Sequence, residues 1–484
     1  MNKLDWWMRT CGVFLLWATA AVTLPAQTFT TLDTFNYDTN GAEPTAALIQ
    51  ATNGDLYGTT SRGASEGTVF KITPKGVLTN LYTFSCPGGN CTNGQWPYAG
   101  LVQGTNGEFY GTTYFGGAND TCPGPNTCGT VFKITPSGTL KTLHSFDGTD
   151  GQFPYIGEGL IQATNGNFYG TTNQGGANSA GTVFKITPSG KLTTLYNFCS
   201  KGGPNCTDGA GPWGGLVQAT NGDLYGTTAG TVFKITQSGR LTTLHTFAGT
   251  EGRGGTGLVQ GTDGNFYGTT ISGGTNVIGG TVFTITPSGT LTTLYSFCSQ
   301  SNCTDGQLPY AGVVQGTDGN FYGTTQAGGA NGSCVNGGEN GCGTVFSITP
   351  SGTLTTLYNF CPQSGCTDGT NPFAGLVQDT NGAFYGTTWG GGLDGVGTVF
   401  SLSVGLAPFV ETQPTSAKIG AAAKILGTSL TGATVVTFNG TTATFTVVSA
   451  SEIITTVPAG ATTGTVLVTT SSGTLSSNVP FTVN

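Results

Sequence analysis

Histidine is almost absent from this chain of 484 residues, which holds two, and charge is thin throughout, with Asp, Glu, Lys and Arg making up 8%. Long solvent-facing helices are built largely from Glu, Lys and Arg, so their scarcity argues against a helical protein. The 15 basic residues are outnumbered by 23 acidic ones, for a formal net charge of −8, and they form no run. A nucleic-acid binder, which needs a basic stripe, is excluded on that balance. Beyond the N-terminus no apolar run is long enough to cross a bilayer as a helix. What is present instead is glycine, 83 residues of it, with 36% hydrophobic and 10% aromatic residues. That content is too apolar for a disordered chain, and the abundance of Thr, Val, Phe and Tyr suits strands.

The first residues read as an export signal. Lys3 and Arg9 supply a positive start weakened by Asp5, Cys11 to Leu24 is a short apolar stretch, and Leu24-Pro25-Ala26 offers a cleavage site before Gln27. An uncleaved anchor is the alternative. No lipobox precedes Cys11. The other twelve cysteines fall into close pairs: Cys86 with Cys91, Cys122 with Cys128, Cys199 with Cys206, Cys298 with Cys303, Cys334 with Cys342 and Cys361 with Cys366. An even count in local pairs predicts disulfides and an oxidising compartment. Metal binding is the competing reading, but zinc sites usually space Cys two to four apart and combine two such pairs. These spacings are wider and uneven, so no metal is expected.

Three phrases recur in fixed order. GLVQGTNGEFYGTT at 100–113 is a strand, a turn and a strand, and copies of its YGTT begin at Tyr57, Tyr110, Tyr169, Tyr225, Tyr267, Tyr322 and Tyr385. GTVF opens a further strand at Gly67, Gly129, Gly181, Gly230, Gly280, Gly343 and Gly397. A TL-aromatic-x-F phrase such as LYTF at 81–84 follows each of the first six, and a divergent copy, LDTF at 32–35, precedes them all. Each unit therefore holds four short strands, a to d. Asn-Gly or Asp-Gly joins a to b and predicts a type I′ turn; Pro-Ser-Gly or a close variant joins c to d. Four antiparallel strands repeated in this way are the signature of a propeller blade, with a β-solenoid as the alternative.

The last unit has strands a, b and c but no d, because GTVFSL at 397–402 runs into a different composition. The opening FTTLDTF at 29–35 supplies the missing strand. The expectation is an all-β fold: a seven-bladed β-propeller over 27–404, closed by its N-terminal strand, which leaves no sheet edge open to aggregation. In such a meander the tight a–b and c–d turns share one end of each blade. The long b–c and d–a loops share the other, and all six cysteine pairs fall in those loops. Binding sites favour loops of that kind on a rigid scaffold. From Leu406 the Gly-rich repeats stop and alternating Val/Thr strands appear (VVTFNG, ATFTVVS, EIITTVP, GTVLVTT), predicting a small immunoglobulin-like sandwich over 405–484.

The phrases T-[ND]-G-x-[FL]-Y-G-T-T and G-T-V-F-x-I-T-P-x-G-x-L resemble the GloVer-type tandem repeat of the bacterial choice-of-anchor tandem repeat proteins, over about 29–404. That resemblance implies export and, often, a terminal surface-sorting anchor. Here Asn484 follows a sandwich strand rather than a hydrophobic tail. Residues 408–484, with GATVVTFNGTTATFTVVSASEIITTVPAGATTG and the closing PFTV, resemble an IPT/TIG domain, which implies a spacer or interaction module. The T-D-G-N-F-Y hairpin bears a slighter likeness to the D-G-N-L repeats of lyase and NHL propellers. None of these resemblances carries a catalytic motif.

Read for chemistry, the residues offer little. His144 and His245 occupy the strand-d slot filled by Tyr82, Tyr196, Tyr295 and Tyr358 elsewhere, and a slot that accepts Tyr is structural. The loop dipeptides Asn93-Gly94, Asp150-Gly151, Asp208-Gly209, Asp305-Gly306 and Asp368-Gly369 read as turns, because one carboxylate per unit is too few for calcium. No G-K-[ST] follows the glycine phrases, and no Ser lies in a G-x-S-x-G setting. A glycosidase needs paired carboxylates, and the off-repeat acids Glu66, Glu108, Glu158 and Glu251 are not paired by anything in the sequence. The best binding candidates are the off-repeat aromatics Trp96, Tyr114, Phe115, Trp213 and Trp389, all expected on the long-loop face. Stacking on sugar rings or on a protein partner is their functional reading; capping the propeller core is the alternative. The expectation is an exported, non-catalytic binding or structural protein without a cofactor. The rival is a polysaccharide hydrolase or lyase with carboxylates at the central channel.

Overall fold

The computed structural model describes residues 27–119, 122, 128–154, 159–202, 206–332, 334–336 and 339–484. Residues 1–26, read from the sequence as an export signal, and Glu158 lie outside the described residues. The architecture is all-β: seven four-stranded antiparallel sheets in a propeller-like arrangement, followed by two further four-stranded sheets packed face to face.

The first sheet shows the unit. Ile49–Gln50, Leu56–Thr60, Thr68–Ile72 and Leu78–Thr83 pair in chain order. The sheet's middle strands are almost wholly buried, as their β-branched and aromatic content dictates. The glycine of YGTT is a packing requirement: a Cβ at Gly111 would lie 2.6 Å from the Phe132 ring of the neighbouring strand. The a–b turn differs from the type I′ expectation. Only the glycine takes a positive φ (84° at Gly107), and Gly107 N–H donates to Gly104 O at 2.8 Å while Gly104 N–H donates to Glu108 O. That is a three-residue loop with a left-handed glycine. Asn106 keeps a negative φ because its side chain is engaged on both ends, accepting from Glu108 N–H and donating to the Tyr110 hydroxyl at 3.0 Å.

Two devices join neighbouring sheets. Each YGTT tyrosine packs on the aromatic or leucine preceding the next one; Tyr57/Phe109, Tyr110/Phe168 and Tyr267/Phe321 stack at 3.8–4.1 Å. Each strand-a glutamine also accepts the backbone N–H of the turn threonine one sheet earlier, as in Thr52 to Gln103 and Thr105 to Gln162, both at 2.9 Å. The series returns to its start: Thr380 N–H donates to Gln50 at 3.0 Å, and Tyr385 packs with Leu56 and Phe70. The seventh sheet consists of Val377–Gln378, Phe384–Thr388, Thr398–Ser403 and, as its outermost strand, Thr28–Thr34. The register runs from Thr28 opposite Ser403 to Thr34 opposite Thr398.

The C-terminal sheets, led by Ala422–Leu426 with Glu452–Thr456 and by Val435–Phe438 with Val466–Thr470, enclose Val410, Ile425, Val436, Phe438, Ile453, Val468 and Phe481. This sandwich rests on the tight-turn end of the first and seventh sheets. Ser451 Oγ donates to Thr52 O at 3.0 Å, the Thr380 and Thr428 hydroxyls meet at 3.0 Å, and Phe409 N–H donates to Thr380 O. No helix among the described residues is long and apolar enough to cross a membrane.

Candidate functional site

The long loops are built around one repeated backbone device. After each D/N-G (Glu251-Gly252 in the fifth unit) comes one residue, then a position in the left-handed region. These seven positions are Glu43 (φ 56°), Trp96 (55°), Phe153 (58°), Gly211 (56°), Gly254 (69°), Leu308 (57°) and Asn371 (55°). Each donates its N–H to a carbonyl just before the preceding GTVF strand, at 2.8–3.0 Å. The fixed backbone and the freely varying side chain stand in contrast. Large residues such as Trp96 and Phe153 are strained in this region, and such strain concentrates at functional sites.

The acid of the D/N-G pair holds the loop to strand d. Asp208 accepts from the Tyr196 hydroxyl at 2.7 Å, Asp305 from Tyr295 at 2.8 Å and Asp368 from Tyr358 at 2.9 Å. His144 meets Asp150 at 2.6 Å, and His245 meets Glu251 at 2.7 Å. Both histidines thus contact the loop acid at the point where Tyr does so in three other units. Burial pushes the Glu251 carboxyl up, but hydrogen bonds from His245 and the Ala248 amide outweigh it and leave the group below its ordinary range. Burial and the adjacent Asp208 carboxylate push the Tyr196 hydroxyl up to about 12, against the opposing pull of the Ser200 hydrogen bond. The sequence offers one signal that these positions pair: the acid follows the strand-d residue by six to twelve positions in unit after unit.

Three of the expected aromatics converge. Trp96 lies 5.1 Å from Phe115, Tyr114 lies 4.5 Å from Phe115, and Phe153 and Tyr98, neither of them singled out in the sequence, complete the group at 4.8 Å and 5.4 Å from Tyr114. All five are half-buried. Charged groups edge the cluster. Trp96 Nε1 donates to Glu66 at 3.0 Å, the Arg62 guanidinium lies 4.7 Å over the Trp96 ring, and Glu43 pairs with Arg62 at 3.0 Å. Trp389 is half-buried in the seventh sheet, its N–H donating to Asn371 O at 3.0 Å, and takes no part in these ring contacts.

Trp213 lies elsewhere, on the wall of a cavity of about 290 Å³ between the inner edges of five sheets. Trp213, Thr256, Tyr310 and Phe373 line it at equivalent positions, two residues after the left-handed one, and Tyr310 stacks on Phe373 at 4.2 Å. Thr45 occupies the same position in the first sheet. Among the described lining residues there is no carboxylate, histidine, lysine or arginine. Three of the four off-repeat acids are described and are engaged elsewhere: Glu66 with Trp96, Glu108 with Lys133 at 2.8 Å, Glu251 with His245.

The structure joins each local cysteine pair. Cys86 bonds Cys91, Cys122 bonds Cys128, and Cys199 bonds Cys206. Cys298 bonds Cys303, Cys334 bonds Cys342, and Cys361 bonds Cys366. These are the six pairs read from the sequence, and the second member of each also has a backbone role. The carbonyls of Cys91, Cys206, Cys303 and Cys366 each accept the N–H of the D/N-G glycine three residues on, at 2.6–2.9 Å. Cys206, Cys303 and Cys366 themselves stand in the left-handed region, at φ 45°, 53° and 46°. Cys128 and Cys342 act differently: they directly precede GTVF, and their carbonyls receive the left-handed residues Phe153 and Asn371 at 3.0 Å and 2.8 Å. The disulfides are therefore attached to the loop device itself. A further feature was not visible in the spacing: the Cys334–Cys342 and Cys361–Cys366 bonds adjoin, all four sulfurs lying within 4.8 Å of one another. With both bonds formed they offer no thiolate to a metal.

A sequence profile described as the Gloeobacter/Verrucomicrobia repeat matches residues 19–122 and 228–446, more than half of the chain. No curated protein matches by sequence. Among solved structures, a streptogramin B lyase is 17% identical, with 78% of this chain and 97% of that one covered at a TM-score of 0.52. A catalytically inactive virginiamycin B lyase from Staphylococcus aureus with quinupristin gives 17%, 78%, 99% and 0.51. A fungal alcohol oxidase in complex with copper is 12% identical at a TM-score of 0.51, covering 94% of this chain and 99% of its own. At these identities the likeness is one of fold.

Proposed function

The chain belongs to the Gloeobacter/Verrucomicrobia repeat family, and from that membership and the loop-face geometry we propose that it is an exported, non-catalytic glycan-binding protein. In this reading residues 27–404 form a seven-bladed β-propeller closed by the N-terminal strand, residues 405–484 form an IPT/TIG-type spacer, and residues 1–26 direct export. Six disulfides fit an extracellular protein.

The observation that carries the proposal is the half-buried cluster of Trp96, Tyr98, Tyr114, Phe115 and Phe153, edged by Arg62, Glu43 and Glu66. Aromatic faces bordered by charged hydrogen-bonding groups suit a sugar ring, with its apolar face and polar rim. Strained left-handed positions hold Trp96 and Phe153 in place, so ordering them costs little on binding. The hydrolase form of the rival, a polysaccharide hydrolase or lyase, needs two carboxylates at one site. The described lining of the axial cavity supplies none. A glycan array probed with the secreted protein tests the reading. Binding that falls at least tenfold in Trp96→Ala supports it; no binding to any glycan overturns it and leaves a protein partner or a structural role.

A further inference from the structure

The axial cavity lies apart from the aromatic cluster and has a different chemistry. We propose that it is a second binding site, for an uncharged molecule bearing a fused or substituted aromatic ring. The site does not depend on the glycan reading, because none of the cluster's five aromatics lines it.

Its lining decides the chemical class. Trp213, Tyr310, Phe373, Ile271 and Val313 supply the bulk of the wall, with alanines and glycines between them. The two threonine hydroxyls at the wall are already committed: Thr256 Oγ1 bonds Thr269 Oγ1 at 2.6 Å, and Thr45 Oγ1 donates to Tyr98 O at 3.2 Å. A free sugar placed here would bury several hydroxyls with few partners, each at a cost of roughly 1–3 kcal/mol. An apolar ring loses nothing of that kind and gains from stacking on Trp213, Tyr310 or Phe373. A charged ligand would find no counter-ion among the described lining residues.

The dimensions set the size. An apolar cavity of about 150 Å³ holds one benzene, and drug-sized ligands occupy about 300 Å³ upward. At about 290 Å³ this cavity suits a bicyclic ring or a single ring with a short substituent.

At Gly375 the void is one that the fold does not force. The glycine of YGTT is forced by collision, whereas Gly375 on the cavity wall has an ordinary φ. The nearest neighbours of a Cβ there would all be at ordinary contact distance: Ala311 Cβ at 3.5 Å, the Gly312 carbonyl at 3.7 Å and Ala47 Cβ at 3.9 Å. At Gly375 a side chain therefore starts without collision, whereas at Gly214 a Cβ would meet the Thr256 carbonyl at 2.6 Å; Ala47, Gly257 and Gly312 are the small residues of the other contributing sheets. At the rim, the left-handed positions of the fourth and fifth sheets are Gly211 and Gly254, so that side carries no side chain at those positions. Protein interiors normally fill such space. An apolar cavity kept open by residue choice, and walled by three aromatics, is a ligand site in form.

The test uses the full secreted protein and two probes, 2-naphthol and methyl β-glucoside, followed by isothermal titration and ligand-observed NMR. The expected result is saturable binding of 2-naphthol, with no binding of methyl β-glucoside in the cavity. Gly375→Leu should weaken 2-naphthol at least tenfold without lowering the melting temperature, and Trp213→Ala should weaken it severalfold. Trp96→Ala should leave it unchanged. Absence of 2-naphthol binding to the parent, or equal binding to both cavity variants, overturns the proposal. Glycan-array binding that survives Gly375→Leu while 2-naphthol binding is lost separates this site from the surface cluster. A failed array with intact 2-naphthol binding removes the glycan reading alone.

Discussion

Asp379 is a buried carboxylate where six other units carry Ala or Gly: Ala51, Gly104, Ala163, Ala219, Gly261 and Gly316. It is 1% exposed, and only one of its oxygens is bonded, Oδ1 accepting Asn381 N–H at 2.8 Å, while Oδ2 has no partner. The segment running into the sandwich covers its turn, with Leu406 O close to Gly382 and Phe409 N–H donating to Thr380 O. Burial raises the Asp379 carboxyl from 3.8 to about 6, the Asn381 hydrogen bond opposing it. Because the folded-state value lies above the unfolded one, the group favours the fold only in its protonated form. Stability is therefore lost as pH rises from about 4 to about 6, and the loss is complete above that window. At about 1.4 kcal/mol for each pH unit between the two values, the penalty is about 3 kcal/mol at pH 8. Asp379→Ala removes it and forfeits one hydrogen bond of about 1 kcal/mol. The variant should be about 2 kcal/mol more stable than the parent at pH 8 and no more stable at pH 4, by guanidinium denaturation. A variant no more stable at pH 8, or an advantage that stays constant between the two pH values, would refute the reasoning.

Three further outcomes are expected. Deleting residues 28–36 removes the outer strand of the seventh sheet, with its pairing to Thr398–Ser403, and should lower the melting temperature by several degrees; an unchanged value would refute closure by this strand. Gly111→Ala places a Cβ 2.6 Å from the Phe132 ring and should cost about 1–3 kcal/mol by chemical denaturation, as overpacking does. His144→Tyr places in the slot above Asp150 the residue that pairs with Asp in three other units, so stability should change by less than about 0.5 kcal/mol; a large loss would mean the imidazole has a role beyond holding the loop.

Much of the scaffold is legible because the repeat states each rule seven times. Strand order, the placement of LDTF beside GTVFSL and the six local cysteine pairs follow from short-range pattern and from counting. The turn at Asn106 departs from the type I′ form because the dipeptide alone does not reveal that the Asn side chain is tied to Glu108 and Tyr110. The backbone role of Cys91, Cys206 and Cys303 is hidden in the same way, since spacing speaks of sulfur and not of the carbonyl that receives the loop glycine. That of Cys128 needs the position of Phe153, which lies beyond the whole c–d hairpin. The site is legible in part. Trp96, Tyr114 and Phe115 announce themselves by breaking the repeat, whereas Tyr98, Tyr310 and Phe373 each follow a Pro of the repeat and carry no such mark.

The amino-acid sequence by itself determined the all-β class, the unit of four strands, the family and the local disulfides, because each depends on residues near one another along the chain. Tertiary structure alone decided what lies across a sheet boundary or across the axis: that Trp213 faces the cavity and not the Trp96 cluster, that two disulfides adjoin, and that Asp379 is sealed beneath the segment entering the sandwich. Alternation along a strand tells which side chains share a face. Which faces meet depends on how seven similar sheets are rotated about one another, and the residues that keep the axis open are small ones whose meaning lies in the space around them.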